Sequence, residues 1–109
     1  MLPKASRLSR AEAEVLKNGK SVFMTLLSLR LIPATKTQIS VSVPKKIAKS
    51  AVDRNRIRRR AYSALEQIIP TINRPAKMML FPKAIFRTLP QEEIIKEIRN
   101  AFTKAGIVS

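Results

Sequence analysis

The densest group of chemically active side chains in this 109-residue chain is a run of arginines at residues 54–60. Five of these seven residues are arginine, in the stretch RNRIRRR, and residues 45–60 hold eight basic residues against one acid, Asp53. Like charges one helical turn apart destabilise a helix by about a few tenths of a kcal/mol per pair. A bound polyanion would turn that repulsion into attraction, and the planar guanidinium group pairs with phosphate and stacks on bases. The run therefore predicts a phosphate-binding surface rather than a merely solvated helix face.

The chain lacks the groups with which a protein would cleave a phosphodiester by itself. It contains no histidine and no cysteine, and its seven acids fall in four separated places. Hydrolysis by protein groups usually needs a histidine acid–base pair or a carboxylate cluster that holds Mg²⁺. The absence of cysteine also excludes disulfides and thiolate metal sites. We therefore expect no catalytic residue and no metal site in this chain, which disfavours a nuclease made of protein alone.

The overall charge indicates a nucleic-acid partner. Twenty-two Lys and Arg residues against seven acids give a formal net charge of +15, and each neutralised phosphate releases condensed counterions. A charge that serves solubility normally mixes both signs. An anionic membrane is the main competing partner, but the basic segment has no exposed aromatic or leucine-rich face for insertion. Without a bilayer-spanning apolar run or a signal peptide, we expect a cytoplasmic protein with no membrane partner.

The first part of the chain predicts one helix followed by strands. Residues 8–19 have the capping-box spacing of a short helix, with Ser9 and Glu12 near its start and Gly19 at its end. Residues 21–32 are apolar, and residues 38–43 alternate apolar and polar side chains as a half-buried strand does. We expect these two segments to form an antiparallel pair. Residues 21–32 could instead form a buried helix, or residues 27–32 could split off as an extra strand.

The second part predicts two helices with a strand between them. Residues 45–69 show an apolar stripe about 100° wide on a helical wheel, with Ser50 and Asp53 as a capping-box-like start. The stripe comprises Ile57, Ala61, Ala64, Leu65 and Ile68. The opposite side comprises Asn55, Arg56, Arg59, Arg60, Ser63 and Gln67, and Arg54 and Arg58 lie nearer the edge of the stripe. Residues 77–81 predict a strand, and residues 88–106 a closing amphipathic helix.

The length fits a single RNA-binding domain over residues 1–109, an α/β (α+β) sandwich in which helices cover a small mixed sheet.

The stretch SVPKKIAKSAVDRNRIRRRAYSAL, residues 42–65, closely resembles the signature region of the protein subunit of bacterial ribonuclease P. The resemblance rests on an Arg-Asn-Arg core that is followed by an aliphatic residue and further basic residues. A Ser/Val strand and a Lys-Lys pair precede this core, which makes the match more specific than a lone RNR would be. Similarity extends over nearly the whole chain, from the basic N-terminus to the closing helix.

This resemblance implies a fold, a function and partners. The fold would contain a left-handed βαβ crossover around the arginine helix. The chain would be a subunit of an endoribonuclease whose catalytic RNA subunit removes the 5′ leader of precursor tRNA, with Mg²⁺ held largely by RNA phosphates. The implied partners are the catalytic RNA subunit and precursor tRNA. Neither a membrane nor DNA is implied as a partner.

The resemblance also implies which residues bind RNA. The residues that would contact the RNA subunit are Lys45, Lys46, Arg54, Asn55, Arg56, Arg58, Arg59 and Arg60. A cleft between the first helix and the sheet would hold the single-stranded leader, with Phe23, Ser40 and Ser42 as candidates. Two departures stand out: residues 1–22 contain no aromatic side chain for stacking on the leader, and Ala48 replaces a common glycine. The alternative function is that of a ribosomal or general RNA-binding protein, which would share this composition.

Overall fold

The computed structural model describes residues 19–107, which form a sheet covered on one side by two helices. The elements in chain order are β1 (Lys20–Phe23), β2 (Leu27–Pro33), β3 (Gln38–Val41), α1 (Ala51–Ile68), β4 (Ala76–Pro82) and α2 (Gln91–Ala105). Short 3₁₀ turns at Ile69–Thr71 and Ala84–Arg87 follow α1 and β4. The helix predicted over residues 8–19 lies outside the described residues, except for Gly19. The mixed sheet and its covering helices confirm the predicted fold class.

The order of strands in the sheet is β1-β2-β4-β3. β2 runs antiparallel to both β1 and β4, whereas β3 runs parallel to β4. The predicted antiparallel pairing of residues 21–32 with residues 38–43 is therefore wrong, because β4 lies between β2 and β3. Alternation of apolar and polar residues specifies which face of a strand is buried, but it does not specify the neighbouring strand. Residues 21–32 also divide into β1 and β2, which confirms the extra strand and excludes the buried helix.

The core lies between one face of the sheet and the two helices. Alternate strand residues point to this face, among them Leu29 in β2 and Leu80 in β4, both fully buried. The predicted apolar stripe of α1 is confirmed, since all five of its residues are buried. In α2, Ile94, Ile98 and Phe102 are fully buried. Both helices thus present an apolar stripe to the sheet and leave their charged sides to solvent.

The other face of the sheet, which we call the open face, carries half-buried and exposed side chains. Its members are Ser21, Phe23, Ser28, Arg30, Ile32, Gln38, Ser40, Lys77, Met79 and Phe81. These residues alternate along their strands with the buried residues of the core, as the two-residue period of a β-strand requires.

Helix α1 begins at the predicted cap, and the residues of the helical pattern that precede this cap are not helical. Residues 45–47 form a turn, in which the Ile47 amide donates to the Pro44 carbonyl over 3.0 Å. The helix then begins at Ala51, and the Ser50 side chain caps it by accepting a hydrogen bond from the Val52 amide at 3.2 Å. The Ser50 cap is therefore as predicted, whereas Lys45 and Lys46 lie in the turn between β3 and the helix.

We expect Ile57→Ala to lower the free energy of unfolding by about 2–5 kcal/mol. Ile57 is 1% exposed beneath the arginines of α1, so its truncation leaves a cavity between helix and sheet. Urea denaturation measures the change, with Arg59→Ala on the exposed side of the same helix as a control that we expect to stay within about 0.5 kcal/mol. Equal stability of the two variants would contradict the packing of α1 described above.

Candidate nucleic-acid interface

The solvent side of α1 and the turn before it present a continuous basic surface, which we call the arginine face. It comprises Lys45, Lys46, Arg54, Asn55, Arg56, Arg58 and Arg59. Lys45, Lys46, Asn55, Arg56 and Arg59 are exposed, whereas Arg54 and Arg58 are half-buried. The apolar stripe of α1 fixes this side of the helix toward solvent, so the helix backbone sets the spacing of the cations.

Asn55 organises its neighbours on the arginine face. The Arg58 guanidinium donates to the Asn55 side-chain oxygen at 2.8 Å, and Arg59 Nε donates to the Asn55 carbonyl at 3.4 Å. Both arginines are therefore drawn back along the helix toward residue 55. The structure thus brings the asparagine of the RNR core and the following arginines into one cluster.

Arg54 joins the helix to the turn that carries the two lysines. Its Nη1 donates to the carbonyl oxygens of Ala48 and Lys49, at 3.1 and 2.7 Å. These carbonyls precede the helix, so the guanidinium group closes the turn onto the first turn of α1. Arg54 therefore holds the segment between this turn and α1 against the first turn of the helix.

Arg60 is half-buried, and its side chain extends away from the arginine face, although the helical pattern places it on the polar side of α1. Its guanidinium group donates to the Leu89 carbonyl and, at 3.4 Å, to the Arg87 carbonyl. Gln91 completes the junction, since its side-chain amide donates to the Arg60 carbonyl at 3.1 Å. The long side chain thus extends sideways to the segment before α2, and Arg60 connects the two helices.

The carboxylates of the described residues do not form a metal site. Asp53, in the first turn of α1, accepts a hydrogen bond from Arg87 at 3.2 Å in a half-exposed ion pair. Within residues 19–107 there is no group of three His, Cys, Asp or Glu side chains that could hold a metal ion. Asp53 therefore links α1 to the 3₁₀ turn at Ala84–Arg87.

The open face of the sheet brings together side chains from β1, β2 and β4. Phe23 lies opposite Ser28, which lies opposite Phe81, so one cross-strand row has two phenylalanines with a serine between them. The next row contains Arg30, whose guanidinium carbon lies 5.6 Å from the centroid of the Phe81 ring. Phe23 is 74% exposed. This face therefore combines aromatic rings with a cation, the side chains on which unpaired bases stack.

A groove of about 320 Å³ connects the open face with the arginine face. It is lined by Phe23, Arg30 and Phe81 from the sheet, and by Lys46 and Lys83 from the turns that follow β3 and β4. Lys46 thus belongs both to the groove and to the arginine face. An extended strand of nucleic acid that lies in this groove would reach the arginine face without leaving the protein surface.

The three candidates for the leader cleft occupy different positions. Phe23 lines the groove, whereas Ser40 lies on the open face at the β3 edge of the sheet, opposite Met79. Ser42 follows β3, and its amide donates to the Leu80 carbonyl at 2.9 Å. The sequence interpretation missed Phe81, Arg30 and Lys83. The available signal for Phe81 was the alternation within residues 76–82. It places the Phe81 ring on the face of β4 that lies away from the buried Met78 and Leu80.

None of the helices within residues 19–107 has the length and apolar composition needed to cross a bilayer.

Comparisons with known proteins give one consistent family. The family model described as ribonuclease P matches residues 2–106. The ribonuclease P protein component of a Pseudanabaena species is 28% identical over 113 residues, which cover 99% of this chain and 97% of the relative. The corresponding protein of Rippkaea orientalis is also 28% identical, over 98% of this chain and 91% of its own length.

Solved structures share the fold at lower sequence identity. The RNase P protein of Staphylococcus aureus superposes with a TM-score of 0.81 at 19% identity, over 97% of this chain and all of the other. The RNase P protein of Thermotoga maritima gives a TM-score of 0.80 at 16% identity, over 90% of this chain and 96% of its own. These two matches support the arrangement of helices on the sheet.

We expect Arg60→Ala to lower the free energy of unfolding by about 1.5–3 kcal/mol, the range for hydrogen bonds made by a charged group. The variant loses the contacts from α1 to the Arg87 and Leu89 carbonyls. Arg59→Ala removes the same charge from an exposed position of the same helix, and its stability should change by less than about 0.5 kcal/mol. Urea denaturation of both variants at equal salt checks this, and equal losses would contradict the anchoring role of Arg60.

Proposed function

The chain belongs to the ribonuclease P protein family, and from this premise we propose that its two surfaces bind two different RNAs. The family acts in the maturation of tRNA 5′ ends as the protein component of the ribonuclease P holoenzyme, an endoribonuclease, and this chain shares that role. In our proposal the arginine face binds the catalytic RNA subunit. The open face and its groove bind the single-stranded 5′ leader of precursor tRNA.

The observation that carries the proposal is the exposed cation cluster on a helix whose opposite side is fully packed. Arg56 and Arg59 are exposed, whereas Ile57 between them in sequence is buried. The helix backbone therefore holds these cations at fixed spacing before RNA binds, which reduces the conformational entropy that binding must restrict. Structured RNA also presents its phosphates at fixed spacing. Guanidinium groups pair with such phosphates bidentately.

The residues that we propose as contacts of the RNA subunit form two groups. Asn55, Arg56, Arg58 and Arg59 approach the RNA from α1, and Lys45 and Lys46 approach it from the preceding turn. Arg54 contributes charge at the junction of the two groups, because its Nη1 is bonded to the Ala48 and Lys49 carbonyls. Arg60 was expected to contact the RNA as well, but its bonds to the Arg87 and Leu89 carbonyls favour a supporting position behind the face.

We propose that the leader lies along the groove between the two surfaces. Phe23 lines the groove together with Lys46, so a leader bound there would have bases against the sheet and phosphates near a lysine of the arginine face. Ser40 is half-exposed on the same face of the sheet, where its hydroxyl could hydrogen-bond further leader nucleotides. Ser42 is exposed to the same intermediate degree as Ser40 and lies just beyond β3.

The chemistry of cleavage belongs to the RNA subunit in this proposal. Mg²⁺ would be held mainly by RNA phosphates, since the carboxylates within residues 19–107 lie apart and a net charge of +15 disfavours protein-bound cations. The protein would offset repulsion between the phosphates of the two RNAs and so reduce the Mg²⁺ concentration needed. We propose that residues 1–109 act as one RNA-binding domain in the cytoplasm, with RNA, and neither DNA nor a membrane, as partner.

We expect Arg56→Ala and Arg59→Ala each to weaken binding of the RNA subunit and to reduce the magnitude of the log–log salt slope by about 0.9 per lost phosphate contact. Arg99→Ala serves as the charge-matched control, because Arg99 is an exposed arginine of α2 outside the arginine face. Filter binding across a salt series measures all three slopes. A normal slope in the Arg56 and Arg59 variants, or an equal reduction in the Arg99 variant, would exclude the arginine face as the binding surface.

We expect the purified chain to leave precursor tRNA intact in Mg²⁺, and a single cut at the 5′ end of the mature tRNA once a matching RNA subunit is added. Asp53→Asn should leave the single-turnover cleavage rate of this holoenzyme nearly unchanged, since it removes a half-exposed ion pair worth about 0–1 kcal/mol of stability. Gel analysis of 5′-labelled precursor measures the rate. Cleavage by RNA-free protein that Asp53→Asn abolishes would overturn the proposal and indicate a nuclease made of protein alone.

A further inference from the structure

We infer that a pocket at the far end of the sheet is a docking site for an acidic segment of a partner protein, in which a bulky apolar side chain is flanked by carboxylates. This pocket, which we call the distal pocket, is enclosed by the end of β2, the start of β4 and the end of α2. Its apolar wall includes Leu31, Ile32, Pro33, Ala76 and Ala105. The inference concerns a further partner and does not depend on the proposed function.

The distal pocket lies at the end of the sheet away from the groove that connects the open face with the arginine face. The groove contains Ser28 and Phe81, which are cross-strand partners on β2 and β4. The distal pocket contains Pro33 and Ala76, which are partners at the opposite end of the same two strands. The five residues from Ser28 to Pro33 correspond to about 17 Å of strand. No residue of the arginine face is among the described residues that line the distal pocket, so a partner there would leave the groove and the arginine face accessible.

The backbone around the distal pocket is held by hydrogen bonds within the chain. Helix α2 ends at Gly106, whose φ of 82° is left-handed, and the chain turns so that the Ile107 side chain is buried, with 4% exposed. The Ile107 carbonyl accepts hydrogen bonds from the Asn73 and Arg74 amides, at 2.8 and 3.4 Å. The end of α2 is thus joined to the segment that leads into β4. The pocket is therefore formed before a partner binds, which reduces the entropy that binding must restrict.

The size and the lining of the distal pocket suit an apolar protein side chain better than a nucleic-acid base. Its volume is about 490 Å³, against about 320 Å³ for the groove, and ligand pockets span roughly 300–1,000 Å³. Unpaired bases are held chiefly by stacking on aromatic rings, and the described lining of this pocket has no aromatic ring. A partner side chain would instead bury apolar surface against Ile32, Pro33 and Pro75, which are exposed or half-buried in the free protein.

Two cations favour negative charge around that apolar side chain. Lys20 on β1 and Arg74 before β4 both line the distal pocket and are both exposed. They lie on opposite sides of β2, because β1 and β4 are its two neighbours in the sheet. The part of the lining that the structure describes contains no acid. Arginine pairs bidentately with a carboxylate, and lysine attracts one as a point charge. A segment with carboxylates on both sides of an apolar residue therefore matches the pocket.

The test uses three fluorescein-labelled synthetic peptides and the full chain at physiological salt, with binding measured by fluorescence anisotropy. The peptide EELFEE has the inferred pattern, EEGSEE keeps its charge without the apolar side chains, and QQLFQQ keeps the apolar side chains without the charge. We expect EELFEE to bind about 10- to 150-fold more tightly than EEGSEE, the affinity equivalent of burying one large apolar side chain. It should also bind more tightly than QQLFQQ, which lacks partners for Lys20 and Arg74.

Charge-reversal variants locate the binding site. Arg74→Glu should weaken EELFEE binding by about 3- to 30-fold, since one attractive charge pair becomes a repulsive one, and Lys20→Glu should have a similar effect. Arg56→Glu is the matched control, because it makes the same change of net charge on the arginine face. It should change the affinity by less than about 2-fold, since charges separated by more than a Debye length are largely screened. Melting temperatures show that the three variants remain folded. In NMR spectra, the amides of Ala76 and Gly106 should shift when EELFEE is added.

The outcomes either support the docking site or overturn it. Binding of EELFEE that Arg74→Glu weakens and Arg56→Glu leaves intact supports it. Equal binding of EELFEE and EEGSEE, or an equal loss in the Arg56 variant, would mean that the arginine face attracts any acidic peptide, and the inference fails. Tighter binding of a single-stranded oligouridylate that Arg74→Glu abolishes would assign the distal pocket to RNA instead, which also overturns the inference. None of these measurements uses the RNA subunit or precursor tRNA, so the proposed function is tested separately.

Discussion

The repulsion among the arginines of α1 is the constraint on which the rest of the structure depends. Each like-charged pair one turn apart costs about a few tenths of a kcal/mol, so the cationic side of α1 cannot stabilise the helix by itself. Burial of one large aliphatic side chain contributes about 1.5–3 kcal/mol, and α1 buries Ile57, Leu65 and Ile68 completely. Packing against the sheet therefore outweighs the repulsion. Because the apolar stripe of α1 is buried against the sheet, the arginines on the other side of the helix face solvent.

Hydrogen bonds from two of the arginines and to one tyrosine fix the position of the arginine face relative to the open face, the two surfaces proposed to bind RNA. Arg54 bonds to the carbonyls that precede the helix, and Arg60 bonds to the carbonyls that precede α2. On the sheet side, the buried Tyr62 hydroxyl accepts a hydrogen bond from the Val41 amide of β3 at 3.1 Å. Helix α1 is thus joined to its own entry turn, to α2 and to an edge strand. The arginine face cannot tilt independently of the open face without breaking these bonds.

The features that the sequence predicted well are those that short-range patterns determine. The apolar stripes of both helices, the Ser50 cap and the end of α2 at Gly106, whose φ is 82°, all follow from spacing or from one residue's backbone preference. Strand order did not follow, because β4 inserts between strands that precede it in the chain. The direction of Arg60 depends on carbonyls 27 and 29 residues away. A Cβ at Gly19 would lie 2.5 Å from the Leu31 carbonyl oxygen, a close approach to β2 that the sequence pattern did not predict.

The two proposed RNA surfaces would use interactions of different physical character, which is a reason for the fold to keep them apart. The phosphate pairing proposed for the arginine face would be driven largely by counterion release and would weaken steeply with salt. Stacking of leader bases on exposed rings of the open face such as Phe23 would depend on contact between flat surfaces and would be far less sensitive to salt. Lys46 lines the groove where the two meet. A rigid helix can present charge at fixed spacing, whereas only a sheet places side chains from three strands side by side. The arginines therefore belong on α1 and the rings on the open face.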